Sequence, residues 1–587
     1  MEKKLLSGNE ATAWGAYEAG VHFAASYPGT PSTEILETVA QFEEVDAQWS
    51  PNEKVAFEVA LGAAVGGARA MVSMKHVGLN VAADPLFSSS YTGINGGFVI
   101  ISCDDPGLHS SQNEQDNRRY GKFAKIPVIE PSDSQEAYEF IQKAFDISEQ
   151  FDTPVLFRMT TRISHTKTVV NVRGERREVP IRPYKKDIQK YVIIPAHAKK
   201  RHYVVEERTA RLAEFANETD LNRIEWRDNE LGIITDSVAY QYAREVFPDA
   251  SILKLGLVWP FPVELAREFR SKVKRLYVIE ELEPFIEEEL RFAGIHVDAG
   301  KDRIPIVDEL SPRRVRVALT GVELPHPPEQ KAVTRPPMLC PGCPHTGVFF
   351  NLNKLRATVT GDIGCYTLGV LPPLSAIDTT FCMGASVGNA LGLEKAQGKK
   401  FAKKTVGVIG DSTFVHNGIP GLIDIVYNKG ISTIVILDNR TTAMTGHQPH
   451  PATGFTAKGE PTYKLDFEEI ARAVGIKHIT KVDPHDLKAT YRALKKAMEA
   501  EEPAVVIAER SCALLPEERK AAAKRPKKVV DPEKCRGDKC RLCLRLGCPA
   551  IEWKDGKSHI NRLLCVGCEL CVQVCPFDAI HPEEISK

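Results

Sequence analysis

The sequence predicts a multidomain α/β protein closed by a small cysteine-rich module. Three observations carry that prediction. Short apolar runs alternate with Gly- and Ala-rich helical stretches over most of the 587 residues, the pattern of parallel sheets covered by helices. The length fits roughly four domains of ~150 residues. And eight of the 14 cysteines lie between Cys535 and Cys575, which excludes a disulfide framework spread through the fold and points to metal binding in a reducing compartment.

Taken in order, FVIISC (98–103) and PVLFRM (154–159) read as buried strands, and Ser50 to Met71 as a helix of small residues. Residues 166–230 are charged and weakly periodic, and read as a long surface connection with some helix. LGIITD, SILKLGLV and RLYVIEE are the strand candidates of a second α/β segment at 231–325. The Pro-rich stretch 322–337 reads as a linker. A third α/β segment, 335–515, has strands TVGVIGD (405–411), STIVILDN (432–439) and PAVVIAE (503–509), with GIPGLIDIVYNKG as a crossover helix. Six Lys and Arg residues at 519–528 read as a solvated basic tether before the module at 530–587.

Composition narrows the function classes. A net charge of −1 argues against a general nucleic-acid binder, which needs a basic surface. The start, MEKKLLSGNEATAW, lacks the apolar core of a secretory signal. The longest uncharged stretch, Pro85 to Cys103, has too few consecutive apolar residues to span a bilayer. The expectation is a cytoplasmic protein without membrane or nucleic-acid partners.

The strongest motif is Cys565-x2-Cys568-x2-Cys571-x3-Cys575-Pro576. It is the bacterial ferredoxin run, in which three close thiolates hold one [4Fe–4S] cluster and the fourth reaches a second. Upstream, Cys535-x4-Cys540-x2-Cys543-x4-Cys548-Pro549 departs from that spacing at both ends but supplies four more thiolates. By the crossing rule, Cys535, Cys540, Cys543 and Cys575 hold one cluster, and Cys548, Cys565, Cys568 and Cys571 the other. Structural zinc prefers two CxxC pairs across a longer loop, which two Cys-Pro-terminated runs fit poorly. Such a module moves single electrons and does no bond chemistry, so the rest of the chain must supply the reaction.

Gly410-Asp411-Ser412 ends one predicted strand, and Asp438-Asn439 ends the next. Ligands of parallel sheets sit beyond the carboxyl ends of the strands. Asp411 and Asn439 are therefore placed to share Mg²⁺ bound to a diphosphate, with Gly410 permitting close phosphate approach. The pair looks like the thiamine-diphosphate motif, GDG followed by NN, with Ser412 and Asp438 as departures. The bland alternative is that both residues cap turns.

Further segments extend the likeness: Tyr27-Pro28-Gly29-Thr30-Pro31, NEKVAFEVALGAAVGGARAM, Ser110 to Asp116, Cys340-Pro-Gly-Cys343-Pro-His345 and Gly361-Asp-Ile-Gly-Cys365. Together these resemble the 2-oxoacid:ferredoxin oxidoreductases over almost the whole chain. The resemblance implies a pyrimidine-binding domain (1–165), a connection (166–230), a transketolase C-terminal-like domain (231–325), a diphosphate/Mg-binding domain (335–515) and a 2[4Fe–4S] ferredoxin domain (530–587). It implies that Glu53 hydrogen-bonds the thiamine aminopyrimidine, Glu58 being the competing candidate, and that Thr30 lies near substrate. Arg119 is expected to hold the substrate carboxylate, with Arg118 as its neighbour. Asp411, Asn439 and the Thr441 carbonyl are implied as Mg²⁺ ligands. Cys340, Cys343, Cys365 and Cys512 match positions of a third cluster, while Cys103 and Cys382 are expected in the core. His76, His345, His416 and His447 lie in segments expected near the cofactor, and any of them could move protons.

The implied activity is CoA-dependent oxidative decarboxylation of aryl pyruvates, indolepyruvate foremost, with electrons passed to an external ferredoxin. The implied partner is a separate smaller β subunit in an α2β2 assembly. Two alternatives remain at this point: preference for pyruvate or branched-chain 2-oxoacids, and a non-catalytic electron-transfer subunit with a decayed thiamine fold.

Overall fold

The computed structural model describes residues 2–325 and 336–583, so most of the Pro-rich linker lies outside the described residues. The chain divides into two compact units, Met1–Gln330 and Lys331–Lys587.

The first unit is built on a seven-stranded sheet. Its order is Leu257–Trp259, Val128–Ile129, Val155–Thr160, Phe98–Asp104, Ala70–Lys75, Phe23–Ser26 and Asp46–Trp49. All neighbours are parallel except the first pair. Side chains alternate between two buried faces: Val99, Ile101 and Cys103 join one core, Phe98 and Ile100 the other. Burial on both faces is why these strands read as unbroken apolar runs. A second sheet orders Arg275–Ile279, Leu231–Asp236, Ser251–Leu255 and Arg223–Glu225, the last antiparallel.

Three sequence expectations change here. The helix read from Ser50 to Met71 spans only Glu53–Val65. Gly67, at φ +100°, turns the chain into the strand Ala70–Lys75, a conformation glycine alone adopts freely. SILKLGLV is two strands, because Leu257–Trp259 leaves the second sheet to edge the first. Gly256 sits at that break, where a Cβ would stand 2.5 Å from the Leu221 carbonyl. The connection at 166–230 is more ordered than its composition suggests. Lys167–Val172 pairs with Glu2–Ser7, and the 24-residue helix Pro195–Glu218 buries Arg208.

The second unit holds a fully parallel five-stranded sheet, ordered Thr358–Thr360, Thr405–Gly410, Thr433–Asp438, Ala504–Glu509 and His478–Val482. Its central strands again bury both faces: Val406 and Val408 one way, Ile434 and Ile436 the other. The stretch read as a basic tether is instead the helix Pro516–Lys524 and the strand Lys528–Val530, which pairs with Ile580–Pro582. Lys528 is buried and bonds Glu569 at 2.7 Å. A second two-stranded ribbon, Ile551–Lys554 with Lys557–Ile560, completes the cysteine module. Among the described residues no helix is long and apolar enough to cross a membrane.

Candidate active site and metal centres

In the first unit, Glu53 opens the helix Glu53–Val65, capped by the Asn52 side chain, which accepts from the Val55 N–H at 2.9 Å. Glu53 is only 5% exposed. Gly78 backs it so closely that a Cβ there would lie 2.8 Å from Glu53 Oε1. Glu58 is exposed and ion-pairs with Lys54. Burial thus separates the two glutamates that sequence left in competition.

Thr30 lies in the loop after the strand Phe23–Ser26, partly exposed, before a cis bond to Pro31. Gly29 beside it packs on Lys75, at the end of the strand Ala70–Lys75. The Ser110–Asp116 segment folds back over this end. Lys75 Nζ donates to the Ser110 carbonyl at 2.7 Å, and His76 Nε2 stands 3.2 Å from the Asn113 carbonyl.

Arg119, expected to hold a substrate carboxylate, bonds Glu283 at 2.9 Å and Glu288 at 2.5 Å and is partly exposed. Arg118 is fully buried and bonds Asp116, Asp236 and Glu280. With Arg158, bonded to Asp104 and Glu130, it forms a charge network beneath the first sheet and against the second. Burial dominates that network and pushes Glu281 up to about 7.

In the second unit, Gly410 ends its strand and Asp411 follows, 3% exposed. Asp411 accepts the N–H groups of Ser412 (2.8 Å), Asn439 (3.1 Å) and Arg440 (2.7 Å). The Asn439 amide lies 2.9 Å from the Thr441 carbonyl and 3.1 Å from both Asp411 oxygens. With its nitrogen turned inward, the amide bridges these acceptors. With its oxygen inward, the Asn439 amide, the Asp411 carboxylate and the Thr441 carbonyl form a cluster of oxygens of the kind that suits Mg²⁺. The donor set therefore fits the cation. His450, which sequence reasoning missed, approaches Asp411 at 3.3 Å. Its signal was faint, a lone histidine in a loop.

The departures from the thiamine motif have local explanations. Ser412 accepts from the Thr442 hydroxyl at 3.0 Å, so its side chain ties this strand end to the loop after the next strand. Asp438 is pushed up first by burial, then by the Asp411 and Glu509 carboxylates. Gly410 also has a packing reason to be glycine: the Tyr366 ring would meet its Cβ at 2.6 Å.

The cysteines fall into three sets. Cys535, Cys540, Cys543 and Cys575 line one small cavity. Cys548, Cys565, Cys568 and Cys571 interact with one another, and burial pushes the Cys548 thiol up to about 11. This is the grouping the crossing rule predicts. Cys340, Cys343, Cys365 and Cys512 form the third set: burial raises Cys343, and the other three thiols raise it further. Among the described residues, no three such groups converge tightly enough for a single metal ion. Gly342, between Cys340 and Cys343, packs on Val566, between Cys565 and Cys568. Cys103 is buried as expected, whereas Cys382 is exposed and is no core residue.

The expected histidines differ. His345 is buried, and burial pulls it down to about 4. His416 is buried, while His447 Nε2 lies 3.8 Å from Cys512 Sγ. His485, also missed in the sequence, is buried and pulled down to about 4, mainly by burial.

Comparison with known proteins agrees with this architecture. Residues 14–223 match the family model described as pyruvate flavodoxin/ferredoxin oxidoreductase, thiamine diP-binding. Residues 362–508 match the thiamine pyrophosphate enzyme C-terminal TPP binding domain, and residues 559–581 a 4Fe-4S binding domain. Parallel sheets with those matches define a thiamine-dependent 2-oxoacid:ferredoxin oxidoreductase. The chain is 40% identical to indolepyruvate oxidoreductase subunit IorA of Archaeoglobus fulgidus, over 99% of this chain and 98% of that one. It is 43% identical to the subunit IorA of Thermococcus kodakarensis, over 99% and 97%. The chain belongs to this IorA family. A solved 2-oxoglutarate:ferredoxin oxidoreductase from Magnetococcus marinus superposes with a TM-score of 0.45 at 16% identity, covering 54% of this chain and 64% of that chain.

Proposed function

We propose that the protein is the catalytic subunit of an indolepyruvate:ferredoxin oxidoreductase. Indole-3-pyruvate, CoA and two oxidised ferredoxins give indole-3-acetyl-CoA, CO₂ and two reduced ferredoxins. The family relationship along the whole chain carries this reading. Retention of Glu53, Asp411 and Asn439 in buried, organised settings speaks against a decayed fold. Residues 1–165 bind the pyrimidine end of the cofactor, 335–515 its diphosphate end, and 530–587 the two terminal clusters. Thiamine diphosphate supplies the electron sink for decarboxylation, and the clusters carry electrons singly.

The chain's own residues hold and tune these groups. Glu53, desolvated against Gly78, hydrogen-bonds the aminopyrimidine ring and holds the proton that sets its tautomer. Asp411, Asn439 and the Thr441 carbonyl supply oxygen ligands to Mg²⁺. Thr30 lies at the substrate end of the first sheet. Cys340, Cys343, Cys365 and Cys512 hold a third cluster, supported by their common grouping. Gly342 packs on Val566, so the residues that would hold this cluster adjoin those that would hold the Cys548/Cys565/Cys568/Cys571 cluster. A smaller β subunit completes an α2β2 complex in the cytoplasm.

The test is a substrate screen on the anaerobically purified complex. Indolepyruvate is expected to exceed pyruvate and branched-chain 2-oxoacids in kcat/KM. A higher kcat/KM for pyruvate overturns the substrate assignment.

A further inference from the structure

Lys75 is the last residue of the strand Ala70–Lys75, at the carboxyl edge where a parallel sheet presents its ligands. It is 8% exposed. Gly29 packs on its Cβ, which puts it beside Thr30. Three residues further on, Gly78 touches Glu53. One short segment, 75–78, therefore joins the three parts of the candidate site in this unit.

The ammonium is under-used. Its contacts are the Ser110 carbonyl at 2.7 Å and the Ser110 hydroxyl at 3.4 Å. An ammonium has three donors, and burying one without a carboxylate is costly. Among the described residues, the carboxylate that acts on it is Asp105, from a distance. The Asp105 oxygens are already taken, by the Ser110 N–H at 2.8 Å, the Ser111 hydroxyl at 2.6 Å and the Thr161 hydroxyl at 2.6 Å. Ser110 itself is exposed, so a single loop separates the ammonium from solvent. Arg118 and Arg119 are bonded to carboxylates of the protein.

We propose that the Lys75 ammonium binds the carboxylate of the 2-oxoacid substrate, the place sequence reasoning gave to Arg119. The inference rests on the function proposed above. A purely structural lysine would only tie Ser110 to the sheet.

The experiment compares Lys75→Met and Lys75→Arg with wild type in the intact complex. Binding of indole-3-lactate, an unreactive carboxylate analogue, is titrated against that of its methyl ester. Wild type is expected to favour the acid by about 10- to 100-fold, the worth of a charge-assisted hydrogen bond. Lys75→Met should lose that preference with iron and thiamine diphosphate content unchanged, and Lys75→Arg should restore most of it. In turnover, Lys75→Met should raise KM for indolepyruvate far more than it lowers kcat. A preference that survives in Lys75→Met, or none in wild type, overturns the proposal. An intact preference in a wild-type complex that oxidises no 2-oxoacid would instead refute the activity and leave the anchor standing.

Discussion

Glu53 and Gly78 constrain each other. The carboxyl fills the space a side chain at 78 would need, so Gly78→Ala should displace Glu53 while leaving the helix His76–Val81 intact. A shift near 1 Å at a catalytic group costs about 100-fold, so kcat should fall by that order with the protein still folded. Unchanged kcat would show that Glu53 does not need its present position. At this scale the sequence was partly legible. The proximity of Asp411 and Asn439 was readable because strand ends bring i and i+28 together across neighbouring parallel strands, whereas Thr441 entered only through the resemblance. The partners of Arg119 were not legible, because Glu283 and Glu288 lie over 160 residues away and no local pattern announces them. Lys75 carried no signal, since a lysine at a strand end is ordinarily solvated.

Strands were the most legible elements, because burial on both faces leaves apolar runs that nothing else explains. The helices of the cysteine-flanking segments were not. Basic residues at 519–528 suggested a tether, yet Pro516 and the Ala521–Ala523 run favour a short helix. Between the two sheets of the first unit, Glu281 accepts from the Leu310 N–H at 3.0 Å while burial pushes its carboxyl up to about 7. Its folded pKa is raised, so its contribution is full below the unfolded value near 4.5 and is lost as pH rises through about 7. Glu281→Gln keeps the acceptor and removes the ionisation. Relative to wild type, it should gain about 2 kcal/mol of stability between about pH 5.5 and pH 8 in denaturation titrations. A gain independent of pH would mean Glu281 ionises freely in the folded protein.

For the whole molecule, fourteen cysteines resolve into three sets of four plus Cys103 and Cys382. Eight of them were legible from spacing alone. The other four were legible only by resemblance, because 172 residues separate Cys340 from Cys512 and only the five-stranded sheet brings them together. Iron analysis of anaerobic complex should give about twelve atoms per chain, four per cluster. About eight would restrict the chain to its terminal pair. Whether this chain carries out the decarboxylation or merely relays electrons is decided by indolepyruvate- and CoA-dependent ferredoxin reduction in Glu53→Gln complex beside wild type. The expected result is at least a ~1000-fold loss of kcat with iron content unchanged; wild-type turnover in Glu53→Gln would contradict catalysis by this chain.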